Sequence, residues 1–214
     1  MDLAELLNII WVSLSVCLIS TVISASLAAP LSLLLGMNNS AVVRVFRTIT
    51  TALSNVPPIV AGLLVYMLTS RSGPLAWAGL VYSKPAMVMA QILVVTPLIT
   101  SVLFPTFMGM QNEFLETCKG LSLKKTKMYY LLFRECKYIY ASAVLIGFGL
   151  AMSEVAAVSL TGGNIRHKTR VMTTAIMLST SKGDFIEALS LSAVLIALVL
   201  MVNFIAGRIK GREA

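Results

Sequence analysis

The sequence predicts an all-α, polytopic membrane protein, and its composition is the first reason. Of the 214 residues, 57% are hydrophobic and only 12% are charged, whereas about a quarter of the residues in a soluble domain are charged. The mean hydropathy is +0.88. A chain with so little polar surface cannot cover a water-soluble globule, which excludes a cytosolic enzyme, a disordered chain and a secreted disulfide scaffold.

Long runs without charged residues predict five transmembrane helices, because about 20 apolar residues cross the hydrocarbon core of a bilayer. The first run is long enough for two short helices, but it has no polar turn in its middle, and Pro30 is more typical of a kink. We therefore expect one membrane domain over residues 1–214. The predicted spans lie near residues 8–36, 50–69, 86–108, 140–162 and 188–207.

The distribution of Lys and Arg predicts how the chain is oriented. Of the 17 basic residues, 11 fall in one set of predicted loops and 6 in the other. The loops that are richer in Lys and Arg face the cytoplasm in most membrane proteins. This places the N-terminus outside and the C-terminus in the cytoplasm.

The sequence offers no catalytic or metal-binding constellation. Its three cysteines form no CxxC pair, and His167 is the single histidine. An intramembrane enzyme needs a Ser–His pair, paired carboxylates or metal ligands inside its spans, but the predicted spans hold one carboxylate, Glu154, and no histidine. A GxxxxGK[ST] phosphate loop is also absent. We expect no bound cofactor, no metal, no nucleic-acid partner and no enzymatic activity in this chain.

Glu154 is the first candidate pathway residue. A carboxylate at the centre of a span costs about 2.5–3.5 kcal/mol on insertion scales unless it faces protein or water. The predicted spans contain no Lys or Arg to pair with it. It must accept hydrogen bonds from hydroxyl, amide or backbone donors, face a water-filled path, or stay protonated. A proton carrier in a secondary transporter is the alternative role.

Prolines mark the other candidate pathway positions. Pro57 and Pro58 follow Asn55 in the second predicted span, and Pro97 and Pro105 lie in the third. Proline removes a helical hydrogen bond and clashes with the preceding turn. Freed carbonyls inside a membrane are tolerated where protein or a water path receives them. The pattern favours a broken helix beside a pathway, with a simple packing kink as the alternative.

Two predicted loops are too long and too patterned to be simple connectors. The cytoplasmic loop 109–139 has apolar residues at helical spacing, then a break at Gly120 and Ser122, then a second helical stretch. Such an element would dock a soluble partner or lie on lipid. In the extracytoplasmic loop 161–187, residues 173–181 predict a short helix that does not cross. Its other candidate residues would end the fourth span or attract an anion, or else form an ordinary solvated loop: Gly162, Gly163, Asn164, Arg166, Lys168 and Arg170.

The cytoplasmic loop resembles the coupling loop of ATP-binding-cassette importer permeases. That motif has Glu-Ala-Ala, three residues and Gly, then ends in Leu-Pro. Glu116 stands at the Glu, Thr117 and Cys118 at the two alanines and Ser122 at the Gly, but the Leu-Pro is not kept. The stretches NVPPIVAGLLVYMLTSRSGPL, KPAMVMAQILVVTPL, GFGLAMSEVAAVSLTGGNI, TRVMTTAIML and KGDFIEALSLS resemble the tungstate permease subfamily, over about residues 9–207.

This resemblance implies a type I importer permease in a prokaryotic cell (inner) membrane. It implies a homodimer with a second copy of this chain, two cytoplasmic ATPases that use ATP-Mg, and an extracytoplasmic binding protein that delivers tungstate. Molybdate, or less favoured sulfate, is the alternative cargo. The residues that it assigns to ATPase coupling are Glu113, Glu116, Thr117, Cys118, Lys119, Gly120, Leu121, Ser122 and Lys124.

Overall fold

The computed structural model describes the backbone of residues 2–120 and 125–210, and the side chains of residues 2–110 and 127–204. The described chain is helical and contains no strand. Its α-helices are α1 (Leu3–Met37), α2 (Ala41–Ser54), α3 (Pro58–Thr69), α4 (Lys84–Gly120), α5 (Lys125–Glu135), α6 (Lys137–Ser153), α7 (Ala156–Gly162), α8 (Met172–Ser181) and α9 (Phe185–Lys210), with a 3₁₀ turn at Ala76–Ala78.

Among the described residues, three helices are long and apolar enough to cross a membrane by themselves. They are Leu3–Met37, Lys84–Met110 and Phe185–Phe204. The count rises to five if each of two bent helix pairs, α2 with α3 and α5 with α6, forms one span. The all-α membrane class is therefore confirmed. α1 runs through Pro30 without a break, so the long first run forms one helix, as predicted.

The second predicted span, 50–69, is not one helix. α2 ends at Ser54 and α3 begins at Pro58, and the two helices are bent by 97°. Pro57 and Pro58 explain the break, because neither has an N–H and the residue before a proline is disfavoured in the α conformation. The break was predicted, but the helix before it starts at Ala41, well ahead of residue 50.

The fourth predicted span, 140–162, is also wrong as a continuous helix. α6 ends at Ser153, Glu154 is extended with φ −71° and ψ 124°, and α7 begins at Ala156. α7 then ends at Gly162, with Gly163 in the left-handed conformation that terminates many helices. Glu154 thus lies in a break between two helices, and not in the middle of one.

α4 differs from expectation in the opposite sense. It is continuous from Lys84 to Gly120 through both Pro97 and Pro105, so these prolines do not break the third span. The residues predicted to form a separate short helix extend α4 instead, and α4 ends at Gly120, where the sequence predicted a break. The short non-crossing helix predicted at 173–181 is confirmed as α8.

The core forms where α1, α4 and α6 pack together. Val95, Ile99, Leu103 and Phe107 lie one turn apart on one face of α4 and are fully buried. Near the end of α1, Gly36 touches Phe107 so closely that a larger side chain would clash. α3 packs on α4 and α7, and α8 packs on α9. The short helices α3, α7 and α8 are thus held by their packing on one another and on the long helices α4 and α9.

The orientation of the chain remains a prediction that labelling tests. In a Cys118→Ser background, the described free cysteines are the buried Cys17 and Cys136. A membrane-impermeant thiol reagent added outside should label a Lys168→Cys variant and not a Lys124→Cys variant, because the Lys- and Arg-rich loops face the cytoplasm. Labelling of position 124 alone would show that the termini have the reverse orientation.

Candidate functional site

Glu154 caps the short helix that follows the break. Its side chain is buried, and Oε1 accepts a hydrogen bond of 2.9 Å from the backbone N–H of Ala157 in the first turn of α7. A carboxylate here accepts from a backbone N–H that has no partner within the helix, and its negative charge interacts favourably with the positive end of the helix dipole. The backbone carbonyl of Glu154 accepts a second bond, 3.0 Å long, from the hydroxyl of Thr173 in α8.

The carbonyl of Ala151, on the other side of the break, is received by α1 and α4. α6 ends at Ser153, so this carbonyl is among the last four of its helix, which have no intrahelical donor. Gln91 Nε2 donates to it at 2.9 Å and the thiol of Cys17 at 3.3 Å. Ser20 donates to Gln91 Oε1 at 2.6 Å. Gln91 is 2% exposed, so this network replaces water with protein donors.

Small residues bring the two broken spans into direct contact. A Cβ on Gly62 of α3 would lie 2.6 Å from the Cα of Ala157 and 3.0 Å from its carbonyl oxygen in α7. The two backbones therefore touch. Val65 of α3 packs with Ala86, Ala90 and Ala157 in a buried cluster just beyond this contact. The structure thus connects the break at Asn55–Pro57 to the break at Glu154 through the α3–α7 pair.

The proline-break residues lie at the other end of α3. Asn55 ends α2, with its backbone N–H on the carbonyl of Ala52 at 3.1 Å and its side-chain amide on that of Thr51 at 3.0 Å. Both Asn55 and Pro57 are exposed in this chain. Pro97 is half-buried in the continuous helix α4, so the structure does not bring it into either break.

The basic cluster of the α7–α8 loop is partly neutralised. Arg166 donates to both carboxylate oxygens of Glu5 at 2.9 and 2.6 Å, and Arg170 donates to Oε1 at 3.2 Å. The hydrogen bond to Glu5 raises the pKa of Arg166. Lys168 is exposed. The three basic residues are therefore not a set of free cations, and two of them attach the loop to the start of α1.

Asn164 has a local role in the same loop. It adopts φ 51°, a left-handed conformation that asparagine tolerates better than most residues. Its side-chain amide donates to the carbonyl of Thr174 at 3.3 Å and its side-chain oxygen accepts from Arg170 at 3.3 Å. Together with Gly162 and Gly163, which end α7, it sets the turn between α7 and α8.

The side chains of the predicted coupling residues lie outside the described part of the structure. The backbone of α4 is described up to Gly120, but the side chains of residues 111–126 are not. The residues Glu113, Glu116, Thr117, Cys118, Lys119 and Gly120 are therefore assigned only to the backbone of α4, and nothing structural is assigned to Leu121, Ser122 and Lys124. Within the described part, no group of three or more His, Cys, Asp or Glu residues is arranged to hold a metal ion.

Sequence reasoning missed the partners of the breaks. Gln91 is a polar residue within an apolar, charge-free run, but nothing in the neighbouring sequence indicates that its side chain binds a carbonyl 60 residues away. Glu5 was visible as an acid ahead of the first span, but its arginines lie at the far end of the sequence. Gly62 gave no signal, since its neighbour Ala157 is known only from the packing.

Comparison with known proteins identifies the class. Residues 28–212 match the family described as the binding-protein-dependent transport system inner membrane component, and the chain belongs to this family. The resemblance to importer permeases is thereby confirmed. The tungstate uptake system permease protein TupB of Peptoclostridium acidaminophilum is 34% identical over 93% of this chain and 87% of its own length. A probable anion ABC transporter permease protein of Haloferax volcanii is 32% identical over 99% and 94%, and TupB of Campylobacter jejuni is 29% identical over 78% and 70%.

The capping role of Glu154 predicts different effects for two substitutions. Glu154→Gln keeps a carbonyl oxygen that can accept from Ala157, so the protein should assemble and transport at a reduced rate. Glu154→Ala leaves a buried N–H unpaired, at about 1–3 kcal/mol, and should lose assembly or coupling to ATP hydrolysis. For both variants, the measurements are the recovery of the assembled transporter and the uptake of substrate into liposomes. Equal and complete loss of transport in both variants would instead indicate a proton carrier.

The hydrogen bonds around the Ala151 carbonyl give a second prediction. Gln91→Leu removes the amide that donates to the Ala151 carbonyl, which should destabilise the protein by about 1–3 kcal/mol. Ser20→Ala is the matched control, because it removes a bond to the same amide and leaves the Ala151 carbonyl satisfied. Thermal unfolding of the detergent-solubilised transporter should show a larger loss for Gln91→Leu than for Ser20→Ala. Equal losses would mean that the Ala151 carbonyl is not the important partner.

Proposed function

We propose that this chain is the permease subunit of an ATP-driven importer that carries tungstate across a prokaryotic cell membrane. The observation that supports this most strongly is its similarity, over most of its length, to permease proteins of tungstate uptake systems. The similar protein of Haloferax volcanii is a probable anion transporter permease, which agrees with an oxyanion as cargo. Sulfate transport permeases also match, but at only 23–24% identity.

The partners follow from the family. A binding-protein-dependent system requires an extracytoplasmic protein that delivers the substrate, and this chain has no phosphate loop of its own, so a separate ATPase hydrolyses the ATP. We infer that two ATPases dock under the α4–α5 connection of two permease copies. One chain of this size does not enclose a gated path, which favours a symmetric homodimer.

The two helix breaks suggest how movement reaches the pathway. α2 packs on α4, whose end leads into the coupling residues, and α2 joins α3 at the break of 97°. α3 is in turn in backbone contact with α7 through Gly62 and Ala157. When ATP binding brings the ATPases together, a shift of the α4 end would move α2, and the α3–α7 pair would turn at its two breaks. The pathway then opens outward, and hydrolysis reverses the change.

Glu154 acts in this mechanism through structure and not through cargo. Its Oε1 is occupied by the Ala157 N–H, and a carboxylate repels an oxyanion. It would keep α7 intact as a short helix while the α3–α7 pair changes orientation. The specificity between tungstate and molybdate, which are both tetrahedral dianions, would rest mainly with the binding protein.

Uptake by the complete reconstituted transporter tests the function. Liposomes with the permease, its ATPase and its binding protein should accumulate tungstate when ATP is present inside, with or without a pH gradient. Preference for molybdate or sulfate would keep the class and change the cargo. Uptake that follows the pH gradient at constant ATP would overturn the class and restore Glu154 as a proton carrier.

A coupling variant tests the assignment of the α4–α5 connection. Glu116→Lys reverses a charge in what we propose to be a small polar interface with the ATPase. Stimulation of ATP hydrolysis by the loaded binding protein should fall, while the variant still inserts into the membrane. Unchanged stimulation would favour a lipid-surface location for this segment.

A further inference from the structure

The surface of α2 divides into three faces that the transport mechanism leaves unexplained. One face is an apolar stripe at i, i+3, i+4, i+7 and i+11, the spacing of one side of a helix. Its members are between 45% and 65% exposed. They are Val42, Val45, Phe46, Ile49 and Leu53.

The other two faces of α2 are polar. Arg44, Thr48 and Thr51 lie opposite the apolar stripe and are exposed. The flank between these faces carries the less exposed positions, among them the buried Thr50 and the half-buried Arg47, so this is the flank that packs on the protein. α2 therefore has protein at its side, an uncovered apolar face and a water-compatible face directly opposite that apolar face.

Arg47 fixes the position of α2 relative to the end of α1. Its guanidinium donates to the carbonyls of Leu35 and Asn38 at 2.7 Å each, at the end of α1. α1 has 35 residues and is therefore about 52 Å long, which exceeds the ~30 Å hydrocarbon core. The polar turn 38–40 separates it from α2. The end of α1, and α2 with it, thus lies near the boundary between hydrocarbon and water.

The direction of α2 agrees with a position near the boundary between hydrocarbon and water. α3 runs beside the membrane-spanning helix α4, with Val65 against Ala86 and Ala90, and α2 is bent from α3 by 97°. α2 has 14 residues, about 21 Å, which is too short to cross the core. A helix at this level, directed across the spans, meets hydrocarbon on one side and water on the other.

We propose that α2 is an interfacial helix that lies on the lipid surface, with the Val42–Leu53 stripe immersed among the acyl chains. The pattern of an apolar face opposite a polar, basic face is typical of such helices. Arg44 lies on the exposed polar face, and α2 contains no acidic residue, which complements the negative surface of an anionic leaflet. A second copy of this chain is the competing occupant of the stripe, and the experiment below separates the two.

Site-directed spin labelling of the assembled transporter in bilayers tests the proposal. In a Cys118→Ser background, Val45→Cys and Ile49→Cys label the stripe, and Thr48→Cys and Thr51→Cys are matched controls on the same helix. All four positions are exposed, so labelling should not disturb packing. In vesicles that contain anionic phospholipid, stripe labels should collide more with oxygen than with a water-soluble nickel complex, and control labels should show the reverse.

Two other outcomes would overturn the proposal. Low collision rates with both reagents at the stripe, together with disulfide cross-linking of Val45→Cys between copies, would assign the stripe to a second copy of this chain. High collision rates with the nickel complex at positions 45 and 49 would place the stripe in water.

Discussion

A helix that stops inside a membrane leaves backbone donors and acceptors without water, and the protein must supply their partners. The break between α6 and α7 shows how this chain supplies such partners. The side chain of Glu154 accepts from the Ala157 N–H in the first turn of α7, the amide of Gln91 and the thiol of Cys17 donate to the Ala151 carbonyl, and the hydroxyl of Thr173 donates to the carbonyl of Glu154. These bonds connect the break to α1, α4 and α8. The surrounding helices therefore hold α7 at a defined position instead of allowing α6 to continue.

The same break places two short helices in direct backbone contact. α7 presents Ala157, whose N–H is capped by Glu154, to Gly62 of α3. Small residues let helix backbones approach closely in membranes, where apolar surface gives no net drive to associate. In the proposed mechanism, a pair joined in this way moves together when either break changes its angle. The breaks and the glycine contact are thus parts of one device, which suits a permease that must change its pathway without losing backbone hydrogen bonds.

Charge holds the end of the structure that contains the α7–α8 loop. Glu5 at the start of α1 binds two arginines of the α7–α8 loop, and Met172 at the start of α8 donates its N–H to Ser13 of α1 at 2.8 Å. The loop is therefore attached to α1 on both sides of Arg170. Since the arginines are occupied by Glu5, the charge left to meet an incoming anion there is smaller than the basic residues alone suggest.

The sequence by itself determined the features that depend on local chemistry. Long apolar runs gave the membrane class and the undivided first span, Pro57 and Pro58 gave the break after α2, and the pattern after Arg170 gave α8, because apolar periodicity and missing N–H groups act within a few residues. The tertiary structure alone decided that α6 stops at Ser153, that Pro97 and Pro105 leave α4 intact, and that Arg166 faces Glu5. These outcomes depend on partners such as Gln91 and Glu5, which lie 60 and 161 residues from the groups they bind. A carboxylate in an apolar run predicts only that partners must exist, and packing alone determines which residues they are.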